Sequence, residues 1–460
     1  MAATWQAVQE TTVGTLPLTE RTKNGLATAL VRIFLHLAHN DPGRIISSSA
    51  ARKTLEWMAL LYGFDVGGLL LEPSIQRALS NLLKSVAEYG VTSPQRLKAP
   101  VSVVWSLSFR CNLRCLHCYQ NASKPSEDEL SLDQQLNIID QMGRAGVSTV
   151  VLSGGEPLTN PNLKPLIERI RENEMSISID SNGVLINKTV AGSLRHAGVT
   201  SIELSLDGVD EQSHDHFRGL GGAFRKTLDA VEECSKAGIF TTVATTATRL
   251  NYSKREELIS LARSRGADRV VFFDLIPAGR GKEVKDLHLS RDELTELMCL
   301  VHEKSSPNGE VFTELPQYVI YSATGNGEST SDKSNVALSV DRFTISSFFD
   351  CAGQGNIYRK LAPYLGGCPA GRLYCNIQPN GDVTPCMFMP HYPVAGNLKE
   401  QSFEMIWEKS EVFDALRDRK ALTGKCAGCR NLVVCGGCRA KAAAYLGDYL
   451  ASDPTCPIQN

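Results

Sequence analysis

The chain has 460 residues, too many for one ordinary hydrophobic core, so two or three domains are expected. Hydrophobic residues make up 42% and charged residues 21%, a water-soluble globular balance, and 48 Lys and Arg against 50 Asp and Glu leave a net charge of −2, which excludes a global polyanion-binding field and makes nucleic acid a poor partner. The opening MAATWQAVQETTVG has neither a basic start with an apolar core nor an Arg-rich amphipathic pattern, and no apolar run reaches a membrane span, so a cytoplasmic protein is expected.

Residues 1–95 contain no cysteine and read as a helical N-terminal domain. Leu26, Leu30, Ile33, Phe34 and Leu37 recur at helical spacing within 22–39, and 48–62 and 74–89 are similar. The apolar stretch from Trp57 to Leu71 is expected to pack on the rest of the chain rather than on a membrane surface or partner. From Val101 the pattern changes. Strands are expected at 101–107, 147–152, 175–180, 200–206, 239–246 and 269–274, with helices near 131–144, 161–173, 187–197, 223–237 and 253–265. This alternation predicts an α/β fold, a partial (β/α)6 TIM barrel over residues 96–285, with chemistry at the C-terminal ends of its strands.

Sequence motifs fall at those ends. After the first strand, Cys111, Cys115 and Cys118 form C-x3-C-x2-C. Three thiolates hold three irons of a [4Fe–4S] cube and leave the fourth open, whereas a cluster used only for electron transfer normally takes four cysteines. A zinc site would favour paired C-x2-C units with a fourth ligand nearby, and His117 is poorly placed to supply it. After the second strand, Gly154, Gly155, Glu156 and Pro157 combine close backbone approach with a carboxylate suited to an ammonium group. Ser181 and Asn182 follow the third strand with short polar side chains that suit a ribose, and Ser205 and Asp207 close the fourth. Arg218 lies in the stretch His214 to Gly219.

Residues 286–366 read as a helix and a polar linker, with Cys351 left out of any ligand set. Residues 367–460 hold Cys368, Cys375, Cys386, Cys426, Cys429, Cys435, Cys438 and Cys456, enough to close two cubes. A zinc ribbon would use the two C-x2-C pairs and leave the other four idle. Between the cysteines, 376–383 reads as a hairpin through Pro379-Asn380-Gly381-Asp382, and 403–416 as one helix. Clustered cysteines in a chain of this kind argue for metal rather than disulfides.

The cysteine loop followed by Gly154-Gly155-Glu156-Pro157 resembles the radical S-adenosylmethionine (SAM) enzymes, and the C-terminal cysteines resemble their SPASM domain. The resemblance covers about 360 residues and leaves the N-terminal domain outside. It implies SAM and three [4Fe–4S] clusters, one open and two auxiliary. SAM would chelate the open iron and be cleaved to a 5′-deoxyadenosyl radical. Gly154 to Pro157 would hold its amino group, Ser181, Asn182, Ser205 and Asp207 would contact it, Arg218 would face its carboxylate, and 275–281 would pass its adenine. His117 replaces the family's usual aromatic residue and keeps a flat ring. Cys368, Cys375, Cys386 and Cys438 would hold the nearer auxiliary cluster and Cys426, Cys429, Cys435 and Cys456 the outer one. The family usually places three residues before the crossing cysteine and this chain two, which leaves the allocation of Cys435 and Cys438 open.

The resemblance implies an oxidoreductase or maturase that takes hydrogen from a C–H bond and passes an electron to the auxiliary clusters, supplied by a donor such as flavodoxin or ferredoxin. An electron carrier without radical chemistry would have no use for the glycine loop or an open cluster. Met387 stands where the sulfatase-maturating branch has an aspartate base, which argues against formylglycine formation. The tail from Cys435 to Cys456 is similar to the haem and haem-d1 branch and also to peptide maturases, so peptide and tetrapyrrole side chains both stand as substrates. Without a base at Met387, oxidative decarboxylation of a carboxylate-bearing substrate is favoured, and Arg or Lys residues would be needed to anchor it.

Overall fold

The computed structural model describes residues 72–305, 310–320 and 362–458. The helices expected at 22–39 and 48–62, the Trp57–Leu71 stretch, most of the polar linker and Cys351 lie outside these residues. The first described helix, α1 (Pro73–Tyr89), starts on a proline whose missing N–H costs nothing there. Its buried Asn81 exchanges two hydrogen bonds with the Ala99 backbone (2.8 and 3.2 Å), which fixes the chain on its way into the sheet.

The predicted alternation is realised within one or two residues: β1 (Ser102–Ser106), α2 (Leu132–Ala145), β2 (Thr149–Ser153), α3 (Leu163–Glu172), β3 (Ser176–Ser181), α4 (Lys188–Ala197) and β4 (Ser201–Ser205). A helix not anticipated, α5 (Glu211–Arg218), comes next, followed by α6 (Ala223–Lys236), β5 (Phe240–Ala247), α7 (Arg255–Ser264), β6 (Arg269–Asp274) and α8 (Arg291–Lys304). Local chemistry explains the boundaries. α2 opens on a reciprocal capping box between Ser131 and Gln134 and ends on Gly146 in the left-handed region.

β1 to β6 pair in parallel in chain order. Two short strands extend them, one that the sequence pattern missed and one whose pairing with β1 it did not foresee. β7 (Val311–Thr313) pairs parallel with β6, and β8 (Tyr374–Ile377) pairs parallel with β1. β8 begins the expected hairpin, whose second arm is β9 (Asp382–Thr384), with β10 (Gly396–Asn397) beyond it. The ten strands form a single sheet in which the cysteine-rich segment covers the β1 edge. That edge would otherwise present unpaired backbone groups.

Side chains alternate across this sheet. Val103 and Trp105 point into the layer of helices and share its core with Ile138, Ile139 and Met142, while Ser102 and Val104 point into the barrel. The helix expected over 403–416 is two, α9 (Phe403–Lys409) and α10 (Glu411–Arg417), because Ser410 is extended and ends one as it starts the other. The break brings the Trp407 and Phe413 rings to 5.1 Å. Trp407 is buried, donates to the Leu97 carbonyl at 2.9 Å and lies under Arg417, so it ties the C-terminal segment to the approach of β1. Two further helices, α11 (Gly424–Ala427) and α12 (Arg439–Leu446), lie among the last cysteines. Trp407→Ala should cost about 3–5 kcal/mol, read as a lowered midpoint of thermal or chemical unfolding; an unchanged midpoint would show that this joint is dispensable.

Candidate active site

Cys111, Cys115 and Cys118 lie on a loop without regular structure that is held from three sides. Behind β2, Gly155 donates its N–H to the Ser108 carbonyl at 2.8 Å and Glu156 to the Arg110 carbonyl at 2.9 Å. A β-carbon on Gly155 would stand 2.1 Å from the Arg110 oxygen, so only glycine fits, and Gly154 takes a φ of +126° against the Leu107 backbone. From α5, the Phe217 carbonyl accepts the Leu116 N–H, and the Phe217 ring stacks on His117 at 4.3 Å and 7°. From the segment after β6, Arg280 donates to the carbonyls of Cys115 and Ala122 and to Asn121 Oδ1, at 3.0 to 3.1 Å, while its backbone N–H meets the Cys118 carbonyl. Sequence reasoning missed Arg280; a cation following Gly279 beside the loop was its only signal. His117 is half-buried, and its charged form is strongly disfavoured, first by desolvation and then by Arg218, which suits a stacking ring.

The three cysteines open onto a cavity at the C-terminal strand ends, also lined by Gly154, Gly155, Ser181, Asn182, Ser205 and Arg218. Glu156, Pro157 and Asp207 do not line it. The Glu156 carboxylate turns away and accepts from Ser181 Oγ (2.9 Å), the Asn182 N–H (2.8 Å) and the Leu158 N–H (3.1 Å), bracing the end of β3 against the glycine loop. Its pKa is raised to about 7 by burial, against those three donors. Asp207 pairs with Arg218 at 2.5 Å and accepts the Thr246 N–H at 2.8 Å. Arg218, the last residue of α5, sets its other nitrogen 3.8 Å from Cys115 Sγ and faces the cavity as a buried cation. Glu156 and Asp207 thus act on the cavity through Ser181, Asn182 and Arg218.

In the C-terminal segment Cys368, Cys386 and Cys438 line one deeper cavity inside the barrel. Burial raises the pKa of both Cys386 and Cys438, with Cys368 among the neighbours that add to it, and Tyr374 donates its hydroxyl to Cys386 Sγ at 2.6 Å. In a second group, burial raises the thiols of Cys435 and Cys456, with Cys456 adding to the shift of Cys435 and Cys426 to that of Cys456, and Cys429 lies in the same turn as Cys426. Cys438 lines the cavity of Cys368 and Cys386, and Cys435 does not. Cys375 is the exception. It pairs in register with Val103, so strand alternation turns its side chain into the helix-side core beside Trp105 and Phe413, away from Tyr374 and the cavity. Of the expected foursome, Cys368, Cys386 and Cys438 line one cavity and Cys375 lies across the sheet from it.

The surroundings suit iron–sulfur groups. Arg372, Arg419 and Arg439 are buried, and among the described residues none forms an ion pair with a carboxylate. Arg372 donates to the carbonyls of Gly366 and Cys368, Arg419 to that of Cys368, and Arg439 to Cys426 Sγ at 3.7 Å. Buried guanidiniums without carboxylates call for another anion, and a thiolate-ligated cluster is one. Burial also pushes the thiols of Cys111, Cys386 and Cys435 up to about 12, so their protons leave only in exchange for a metal. All thirteen cysteines among the described residues are free of disulfides.

Similarity to known proteins agrees with this chemistry. The radical SAM superfamily pattern matches residues 105–282, and that of the SPASM iron–sulfur cluster-binding domain matches residues 368–430. An AdoMet-dependent heme synthase of Methanosarcina barkeri is 33% identical over 359 residues, 78% of this chain and 96% of the relative. The mycofactocin maturase MftC of Mycolicibacterium smegmatis is 32% identical over 370 residues, 78% of this chain and 83% of its own. In three dimensions the fold is similar to Streptococcus suis SuiB bound to its precursor peptide SuiA, with a TM-score of 0.62 and 18% identity over 84% of this chain and 81% of that one. The chain belongs to the radical SAM superfamily, in its SPASM group. It is therefore an enzyme that uses SAM, a [4Fe–4S] cluster and auxiliary iron–sulfur clusters. Among the described residues no helix is long and apolar enough to cross a membrane.

Two substitutions separate the cysteines by the face they occupy. Cys375→Ala should leave the iron content of reconstituted protein unchanged, whereas Cys368→Ala should lower it by about four irons per chain; equal losses would place Cys375 back among the ligands. Gly155→Ala should lose the loop cluster because its methyl group meets backbone that cannot move aside, and iron analysis that finds a full complement would contradict the clash.

Proposed function

We propose that the chain generates a 5′-deoxyadenosyl radical at the cysteine loop, takes a hydrogen atom from a substrate C–H bond, and returns one electron to an auxiliary cluster as the substrate loses a proton or CO2. The observation that carries this reading is the meeting of two cavities. One is lined by Cys111, Cys115 and Cys118, the other by Cys368, Cys386 and Cys438, and Met387 and Phe388 line both. A substrate between them touches the radical source on one side and an electron acceptor on the other. The bound clusters and SAM supply the radical and redox chemistry.

The protein's own groups hold that chemistry in place. Arg218 offers a cation to an anionic group at the loop, and its pair with Asp207 fixes its orientation. Ser181, Asn182 and Ser205 present short polar groups to the same cavity, the first two held by Glu156. Phe388 packs edge-on against Tyr119 at 5.0 Å and Phe273 at 5.9 Å, a wall that keeps water from the junction. In this reading residues 96–285 form the catalytic unit and 367–460 the iron–sulfur unit, with Cys426, Cys429, Cys435 and Cys456 on the outer cluster and Cys368, Cys386 and Cys438 on the nearer one. The substrate is a peptide or tetrapyrrole side chain, as for the maturase and heme synthase relatives, and a flavodoxin or ferredoxin is the electron donor.

Replacing Cys111, Cys115 and Cys118 together by alanine should abolish 5′-deoxyadenosine formation under dithionite. Replacing Cys426 and Cys429 should spare uncoupled SAM cleavage and stop product. Undiminished cleavage in a folded triple variant would refute the assignment of the loop.

A further inference from the structure

Tyr374 stands in the wall of the deeper cavity and is not used by the radical chemistry. It opens β8, pairs in register with Ser102 of β1, and lines that cavity with Cys368, Cys386 and Cys438. Strand alternation parts it from the next residue. Cys375 turns into the helix-side core, while the half-buried Tyr374 ring packs inside the barrel against the buried group that includes Ile276, Cys368, Cys386 and Ala440. The Gly371 N–H donates to the Tyr374 carbonyl at 3.0 Å and steadies the backbone there.

At the tip of that ring the hydroxyl lies 2.6 Å from Cys386 Sγ, and the Phe388 N–H reaches the same sulfur. For comparison, the backbone N–H groups of Gly437 and Leu113 lie 3.3 and 3.4 Å from Cys435 and Cys111, and the guanidiniums of Arg439 and Arg218 lie 3.7 and 3.8 Å from Cys426 and Cys115. A thiolate on iron carries no proton, so with a cluster bound the Tyr374 hydroxyl can only donate. A donor to a cluster sulfur stabilises the more negative, reduced form and thereby raises the reduction potential. The partly buried setting strengthens the bond, because little water competes for either partner.

We propose that Tyr374 is a positioning residue for the electron acceptor: its hydroxyl, by donating to the Cys386 thiolate, raises the potential of the nearer auxiliary cluster and makes that cluster the group that takes the substrate's electron. This rests on the radical SAM reading given above, with Cys368, Cys386 and Cys438 as ligands. One electron passes from the substrate to the cluster, the proton or CO2 departs from the substrate, and Tyr374 keeps its own proton throughout. On the loop side a cluster that gives an electron to SAM gains from a low potential. There the charge of Arg218 beside Cys115 is balanced by Asp207, so the upward pull is weaker.

The test is a redox titration of reconstituted full-length protein, followed by electron paramagnetic resonance, on the wild type, Tyr374→Phe and Cys368→Ala. The signal missing from Cys368→Ala identifies the nearer cluster. Tyr374→Phe keeps the ring and removes only the hydroxyl, so it should retain about twelve irons, and the nearer cluster alone should become harder to reduce. Its ratio of reduced to oxidised form at a fixed potential should fall about tenfold, a downward shift of about 59 mV for a one-electron couple. An unmoved midpoint, an equal shift in every cluster, or loss of about four irons from Tyr374→Phe would each overturn the proposal. A second measurement needs no variant: wild-type protein reconstituted in deuterium oxide should show an exchangeable deuteron coupled to the reduced nearer cluster in electron–nuclear double resonance, and its absence would also overturn the proposal. Formation of 5′-deoxyadenosine by the wild type under dithionite is measured alongside, so that failure of the radical reading is distinguished from failure of the hydrogen bond.

Discussion

The site depends on backbone packed against backbone. The cysteine loop has no hydrogen-bond ladder of its own, so its thiols stay in place only because other segments hold their carbonyls and amides. The closest of these contacts is the glycine pair behind β2, where Gly155 leaves no room for a β-carbon against Arg110. Gly219, at the end of α5, and Gly279, after β6, press on the same loop, the first against Arg114 and the second against Cys118 and Tyr119. Three strand ends thereby converge on one irregular loop, and the parallel sheet makes that convergence possible by delivering all of its C-terminal ends to one side.

Charge follows the same plan. On the loop side, Arg218 is the cation, fixed by Asp207 and aimed past Cys115. In the C-terminal segment, Arg372, Arg419 and Arg439 lie among the cysteines without carboxylate partners in the described residues. Burial lowers the pKa of Arg419, while Cys368, Cys435 and Cys426 act to raise it, and the same thiols as thiolates on a cluster would compensate it more fully.

The C-terminal segment completes the barrel. Through β8 it shares a ladder with β1, through Trp407 it anchors the chain leading into β1, and through Met387 and Phe388 it reaches the junction of the cavities. β8 is four residues long and β7 three; the hairpin that β8 begins was legible from its turn, but the pairings of β8 with β1 and of β7 with β6 carry too little periodic signal to be read in advance.

The amino-acid sequence alone determined the alternation of strands and helices, the three-cysteine loop, the glycine-rich turn and the presence of a second cysteine-rich segment. Each is a local pattern: hydrophobic period, ligand spacing or turn chemistry within a short window. What only the tertiary structure decided depends on register between distant segments. Cys375 reads like its neighbours along the chain, but pairing with Val103 sends it to the far face of the sheet. Cys435 and Cys438 are three positions apart in one motif, and packing puts only Cys438 in the lining of the cavity with Cys368 and Cys386. Glu156 and Asp207 have the right residue types for ligand contact, yet hydrogen bonds across strands turn them into braces for Ser181, Asn182 and Arg218. Asp180 and Glu203 are more than twenty positions apart and meet only because parallel strands set them side by side, since the period of two along each strand tells which residues share a face but not which residue stands opposite.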